Sequence, residues 1–79
     1  MALTLRVLMT SPDRVVFEGT AQSVTFPGEE GTFEVLPLHR SLVSRLRSGP
    51  VEIDGREIPI LRGVVCVSAD IVTAVVELP

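Results

Sequence analysis

Apolar residues alternate with polar ones along much of this sequence, with a repeat of two residues. The alternation runs through residues 3–9, 33–35, 51–53 and 58–60. Successive side chains of a β-strand point to opposite sides of a sheet, so this period is typical of strands with one buried face. An amphipathic helix would show a period of 3.6. The pattern therefore predicts a protein built from half-buried strands.

Turn-forming residues divide the chain into short segments. Asp54-Gly55 is the strongest of these signals, because glycine accepts the positive φ that a two-residue hairpin turn needs. The others are Ser11-Pro12-Asp13, Gly19, Pro27-Gly28, Gly49-Pro50 and Ala69-Asp70. With only 79 residues, we expect one all-β domain spanning 1–79. Its predicted architecture is a flattened β-sandwich or barrel of about eight to ten short, mostly antiparallel strands.

Three segments and one proline leave part of the predicted structure open. Residues 64–67 and 71–76 are apolar at nearly every position, so we expect both sides of those strands to be covered, by the core and a second layer or by a partner. Residues 42–47 fit helical and strand spacing about equally well. Pro59 cannot donate a ladder hydrogen bond, which predicts an edge strand or a bulge there.

The composition argues against several functional classes. The formal net charge is −3, and all seven cations are arginine, without the clustered positive charge of a nucleic-acid-binding surface. The apolar stretch near the C-terminus is interrupted by Ser68 and Asp70, so we expect no membrane insertion. Hydrophobic residues make up 46% of the chain, enough for an apolar core or for a partner-binding face.

Reactive groups occur in patterns that do not favour catalysis. Cys66 lies between valines, where we expect a core position and an unreactive thiol rather than a nucleophile activated by His39. Glu29 and Glu30 are adjacent in a predicted turn, and solvation would keep their environments too similar for acid–base work. The Pro27-Gly28-Glu29-Glu30-Gly31 segment is acidic and lacks the lysine of a phosphate loop. We therefore expect no enzyme, no cofactor and no metal, and a binding or structural module.

Leu38, His39 and Arg40 form the most ambiguous segment. An exposed leucine, histidine and arginine beside an acidic turn fit a protein contact patch. They fit an ordinary solvated loop equally well, and the residue types alone leave both alternatives open.

The order of motifs resembles the N-terminal β-sandwich of the epsilon subunit of F-type ATP synthase, called delta in mitochondria. Three stretches carry the resemblance along nearly the whole chain, in the family's order and spacing. They are Ser11-Pro12-Asp13-Arg14-Val15-Val16-Phe17-Glu18-Gly19, then Pro27-Gly28-Glu29-Glu30-Gly31-Thr32-Phe33-Glu34-Val35-Leu36-Pro37-Leu38-His39, then Leu42-Val43-Ser44-Arg45-Leu46-Arg47-Ser48-Gly49. Val67-Ser68 and Val72-Thr73 match the family's last two strands.

The sequence departs from the family pattern in its loops. Leu38 replaces the usual glycine before the histidine, Arg40-Ser41 replaces Ala-Pro, and Arg62-Gly63 replaces a pair of glycines. Loss of a glycine at a positive φ would alter a loop. The family commonly continues into a C-terminal helical hairpin that restrains ATP hydrolysis, and in some bacteria binds ATP. The sequence ends at Pro79, so we expect those two roles to be absent.

The resemblance implies a non-catalytic subunit of the central stalk. Such a subunit binds the gamma subunit and the polar loops of the c-ring and rotates with them. In this way it helps couple proton or sodium ion translocation to ATP synthesis in the rest of the F-type ATP synthase. It would be a peripheral protein on the cytoplasmic face of the bacterial inner membrane. The implied contact residues are Glu29, Glu30, Gly31, Thr32, Leu38, His39 and Arg40. The alternative is a free-standing β-sandwich interaction module.

Overall fold

The computed structural model describes residues 3–79, and these residues form nine β-strands and no helix. The strands are β1 (Leu5–Thr10), β2 (Val15–Ala21), β3 (Val24–Gly28), β4 (Gly31–Val35), β5 (Leu42–Leu46), β6 (Gly49–Ile53), β7 (Arg56–Ile60), β8 (Arg62–Ser68) and β9 (Ile71–Glu77). The all-β prediction and the expected number of strands are confirmed. No helix in this part of the chain could cross a membrane.

The strands form one curled sheet that folds over itself as a sandwich. One half has the order β2-β1-β9-β8-β5, and the other contains β6 and β7 beside β3, with β4 on the other edge of β3. The halves meet where β3 pairs with β5, at Gly28 and Leu46. The pairing of β1 with β9 is parallel, whereas the other pairings between these strands are antiparallel, as predicted.

The ambiguous segment 42–47 forms a strand because of its partner. Residues Leu42–Leu46 pair along their whole length with β8. This pairing with a strand distant in sequence decides between helix and strand, and the local periodicity of residues 42–47 gives no information about it. Pro59 lies on β7, the last strand in the order of the sheet. Proline has no N–H to donate, and an edge strand tolerates this because no further strand needs that donor. The edge-strand prediction is confirmed.

The core fills the space between the two halves of the sheet and is apolar throughout. No polar or charged side chain is buried among residues 3–79. The largest buried side chain is Phe26, whose ring centroid lies 5.7 Å from that of the partly buried Phe33. Other core residues are Leu5, Val7, Met9, Val24, Val35, Leu46, Val51, Ile53, Ile60, Val65, Val67, Val72, Ala74 and Val76.

Strands β8 and β9 are covered by the core on one side only; no second layer from the described residues covers the other side, and cover by a partner stays a prediction. Their burial alternates strictly: Val65 and Val67 are buried, whereas Val64 and Cys66 are exposed. The prediction that Cys66 occupies the core is therefore wrong. In the middle of β8 the outward Val64 and Cys66 are as apolar as the inward Val65 and Val67, so residue type did not reveal the alternation there.

Candidate interaction site

An open groove of about 560 Å³ brings together most of the predicted contact residues. Its lining includes Glu29, Glu30, Gly31, Thr32, His39 and Arg40, which are six of the seven residues predicted from the sequence. The first four, which we call the acidic turn, close the β3–β4 hairpin and begin β4. The last two lie beyond the far end of β4. The groove therefore joins two segments that the sequence separates by six residues.

The groove lies at Gly28, the residue of β3 that pairs with both β4 and β5. β4 pairs with β3 along its full length, but β5 meets β3 only at Gly28 and then pairs with β8. Backbone hydrogen bonds fix the turn beside β5, since Glu29 N donates to Arg45 O at 3.0 Å and Arg47 N donates to Pro27 O at 2.9 Å. The position of the acidic turn is thus set by the backbone ladder.

Charges of both signs line the groove. Glu29 and Glu30 belong to the acidic turn, Arg40 to the loop before β5 and Arg45 to β5, and all four are exposed. Among the residues that the structure describes, none of these four side chains forms an ion pair; the pair that does form is Arg62–Glu77, with 3.3 Å between Nε and Oε2. The groove therefore presents carboxylates and guanidinium groups that remain free to bind another molecule.

His39 is held in one orientation at the end of the groove. Its backbone N–H donates to Leu36 O at 3.2 Å, and its ring Nδ1 lies 2.6 Å from Arg40 O. A carbonyl oxygen only accepts, so Nδ1 carries the proton in this contact. In the neutral ring, Nε2 is then an acceptor available to a donor in the groove.

Leu38, the seventh predicted residue, does not line the groove and projects from the loop beside it. Its side chain is 75% exposed and its backbone is left-handed, with φ of 68°. Its N–H donates to Asp70 Oδ1 at 2.7 Å. The loop thus keeps a glycine-like backbone despite the larger side chain. The sequence marked Ala69-Asp70 only as a turn and did not reveal that Asp70 holds this loop.

A second exposed surface lies on the outer side of β5, β8 and β9. It consists of Val43, Val64, Cys66 and Val75, which we call the outer face. Val43 is in register with Cys66, and Val64 with Val75, so all four project from the same side of the sheet. Val43 also lines the groove. The two surfaces are therefore continuous across β5.

Among residues 3–79, no three histidine, cysteine, aspartate or glutamate side chains are grouped so that they could hold a metal ion. Cys66 lies in register with Val43 and Thr73. The groove and the outer face instead have the mixed polar and apolar character of a protein-binding surface.

Comparison with known proteins identifies the family. Residues 4–78 match the family described as ATP synthase, Delta/Epsilon chain, beta-sandwich domain. An ATP synthase epsilon chain from a Nitratiruptor species is 48% identical over 79 residues, covering 94% of this chain and 61% of the relative. That of Prochlorococcus marinus (strain MIT 9313) is 41% identical, covering 98% and 59% respectively. This chain thus spans less than two thirds of either relative.

Solved structures share the fold at low sequence identity. A chain of the Euglena gracilis mitochondrial ATP synthase, solved with OSCP, F1 and c-ring, superposes with a TM-score of 0.83 at 21% identity, covering 92% of this chain and 50% of that one. A chain of the Tetrahymena thermophila central stalk and c-ring gives 0.76 at 13% identity, with coverage of 98% and 64%. Together with the family match over residues 4–78, the bacterial relatives establish that this chain belongs to the ATP synthase delta/epsilon family, over its β-sandwich domain.

Proposed function

We propose that this chain is a non-catalytic rotor subunit of an F-type ATP synthase, bound to the gamma subunit and to the c-ring. In this role it helps couple proton or sodium ion translocation to ATP synthesis, as a peripheral protein on the cytoplasmic face of the bacterial inner membrane. The observation that carries the proposal is the continuity of two unlike contact surfaces, the charged groove and the apolar outer face, across β5. A subunit that touches two neighbours needs two such surfaces.

The groove and its adjoining loop are assigned to the polar loops of the c-ring. Glu29 and Glu30 would attract a lysine or arginine of those loops, and Arg40 would attract a carboxylate. Complementary charges of this kind set the register of two partners more than they add affinity. Both structural neighbours belong to assemblies that contain a c-ring, which supports this choice of partner.

The outer face is assigned to the gamma subunit. Val43, Val64 and Val75 are 74%, 46% and 56% exposed in the isolated chain. Exposed apolar side chains grouped on the outside of a sheet mark an interaction surface more often than an isolated exposed valine does. Cover by gamma would bury the second side of β8 and β9.

Rigidity, rather than chemistry, would be the chain's contribution to rotation. The sheet is continuous through its joint at Gly28 and Leu46, and the core between its halves is apolar. Close packing of such a core gives low compressibility. Torque applied through the outer face would therefore reach the groove with little deformation between them.

Charge reversal in the acidic turn tests the c-ring assignment. The double variant Glu29→Arg and Glu30→Arg should place like charges against the basic groups of the c-ring loops. We expect less ATP-driven ion pumping for each ATP hydrolysed in membranes that contain the assembled enzyme. The matched control is Glu52→Arg with Glu57→Arg, which changes the net charge equally on β6 and β7, away from the groove.

The outcomes separate the possibilities. Uncoupling by the first double variant and not by the control supports the assignment. Full coupling with both variants contradicts it, and failure of the unaltered chain to copurify with gamma contradicts the rotor function itself, leaving a free-standing interaction module. Equal uncoupling by both pairs would show a general effect of charge rather than a specific contact.

A further inference from the structure

The β8–β9 turn reaches across to the contact loop, residues 38–40. Ala69 and Asp70 both have positive φ, of 51° and 63°, as the two central residues of a tight hairpin turn do. Asp70 uses both its backbone and its side chain in distant contacts. Its carbonyl oxygen accepts from Arg6 N at 2.8 Å, and its Oδ1 accepts from Leu38 N at 2.7 Å. One residue thus links β1, the hairpin and the contact loop.

The contact loop needs such a tether because its own conformation is unfavourable. Leucine rarely adopts a left-handed backbone, since its Cβ approaches the following carbonyl oxygen. The Leu38 side chain is largely exposed, so core packing cannot hold φ at 68°. The backbone turn from His39 N to Leu36 O is long, at 3.2 Å. The short charge-assisted bond from Leu38 N to Asp70 is a strong restraint that acts directly on the Leu38 backbone.

We propose that Asp70 is a positioning residue for partner binding, holding Leu38 in the left-handed conformation that presents the contact loop to the c-ring. The identity of the partner rests on the function proposed above. In this arrangement Leu38 is an apolar contact beside the groove, and the charges of the groove set the register. Asp70 itself need not touch the partner.

The chain contains a matched control for this inference. Asp54 is also at positive φ in a two-residue hairpin turn, with φ of 49°. Its Oδ1 accepts from Gln22 N at 2.9 Å and from Ser23 N at 3.0 Å, and so ties the β2–β3 connection to the β6–β7 turn. Neither of those connections lines the groove. Asp54 therefore has the same structural role as Asp70 at a place where no c-ring contact is proposed.

Glycine variants isolate the carboxylate in both turns, because glycine accepts positive φ without strain. We would compare Asp70→Gly, Asp54→Gly and the conservative Asp70→Asn, whose side-chain oxygen still accepts a hydrogen bond. Two readouts are needed: amide hydrogen exchange at Leu38 in the isolated chain, and affinity of each chain, in complex with gamma, for detergent-solubilised c-ring.

For Asp70→Gly we expect amide exchange at Leu38 to be faster by roughly tenfold or more, and binding to the c-ring to be roughly tenfold weaker. This is the effect expected when a hydrogen bond to a charged acceptor is lost. Asp70→Asn should retain most of both properties. Asp54→Gly should lower thermal stability at least as much as Asp70→Gly does, but leave Leu38 exchange and c-ring affinity unchanged.

Either of two results for Asp70→Gly would overturn the inference while leaving the rotor function intact: unchanged exchange at Leu38, or faster exchange with unchanged affinity for the c-ring. An equal loss of affinity in Asp54→Gly would also overturn it, by showing that general stability is responsible. If the unaltered complex does not bind c-ring, the proposed function fails, and with it the role in partner binding. The exchange data on the isolated chain still decide whether Asp70 holds the loop.

Discussion

Gly28 and Leu46 form the residue pair that joins β3 to β5, and so connects the two halves of the sheet. The close approach of β4 to this position requires glycine at position 28. A Cβ added there would lie 2.6 Å from Gly31 O and 2.8 Å from the Phe33 ring. The missing side chain therefore lets the β3–β4 hairpin fold tightly over the joint, which also forms the floor of the groove.

We predict that Gly28→Ala destabilises the chain by about 2–3 kcal/mol, since a backbone carbonyl and a packed ring must both move. Gly19→Ala on β2 is the control, because the nearest atoms to its added Cβ are ring carbons of Phe17 at 3.7 Å. That substitution should be neutral or stabilise the chain by about 0.5 kcal/mol, since alanine loses less backbone entropy on folding. Urea unfolding of both variants checks the prediction, and a Gly28→Ala variant as stable as Gly19→Ala would contradict the tight packing of the β3–β4 hairpin.

The Ala69-Asp70 turn has an avoidable strain at its first central residue. Ala69 has φ of 51°, a conformation that asparagine tolerates better than alanine. We expect Ala69→Asn to raise the free energy of unfolding by about 0.5–1 kcal/mol. Ala69→Val should lower it, because a β-branched residue fits positive φ worse still. If the denaturant midpoints do not fall in the order asparagine, alanine, valine at position 69, other contacts in the protein relieve the strain of the turn.

A pair of like charges faces across the β6–β7 hairpin. Glu52 is directly opposite Glu57 in the register, and like charges in that arrangement destabilise a sheet. Glu57→Lys should therefore stabilise the chain by about 0.5–1 kcal/mol at low ionic strength. The gain should shrink in high salt, where the charges are screened. Glu57→Gln is the comparison, since it removes the repulsion without adding an attraction; an equal effect of both variants in low and high salt would exclude a Coulombic origin.

The strands and the hairpin turn could be predicted because their signals are local. Alternation identified the strands with one polar face, and Asp54-Gly55 identified a turn with φ of 49° and 83°. Alternation did not identify the exposed side of β8, because Val64 and Cys66 resemble the buried Val65 and Val67 in polarity. Which side of such a strand is covered depends on the packing of the whole sheet.

The candidate site was predictable as two segments but not as one surface. The motif order pointed to the acidic turn and to the contact loop. Their convergence depends on β5, which runs beside β8 along its whole length and meets β3 only at its last residue, Leu46. The parallel pairing of β1 with β9 and the bond from Leu38 to Asp70 are similarly non-local. Local sequence patterns do not report contacts between residues so far apart in the chain.

Cys66 provides a native reporter for the proposed gamma interface. Because its thiol is exposed on the outer face, we expect iodoacetamide to modify the folded free chain at a rate close to that of the unfolded chain. This reverses the slow reaction expected for a core cysteine. In complex with gamma, the modification should slow by about tenfold or more, as burial excludes the reagent. The control is Cys66→Ser with Glu57→Cys, which moves the thiol to exposed β7 and should stay reactive in the complex. Undiminished labelling of Cys66 in a complex verified by copurification would place gamma on a different surface.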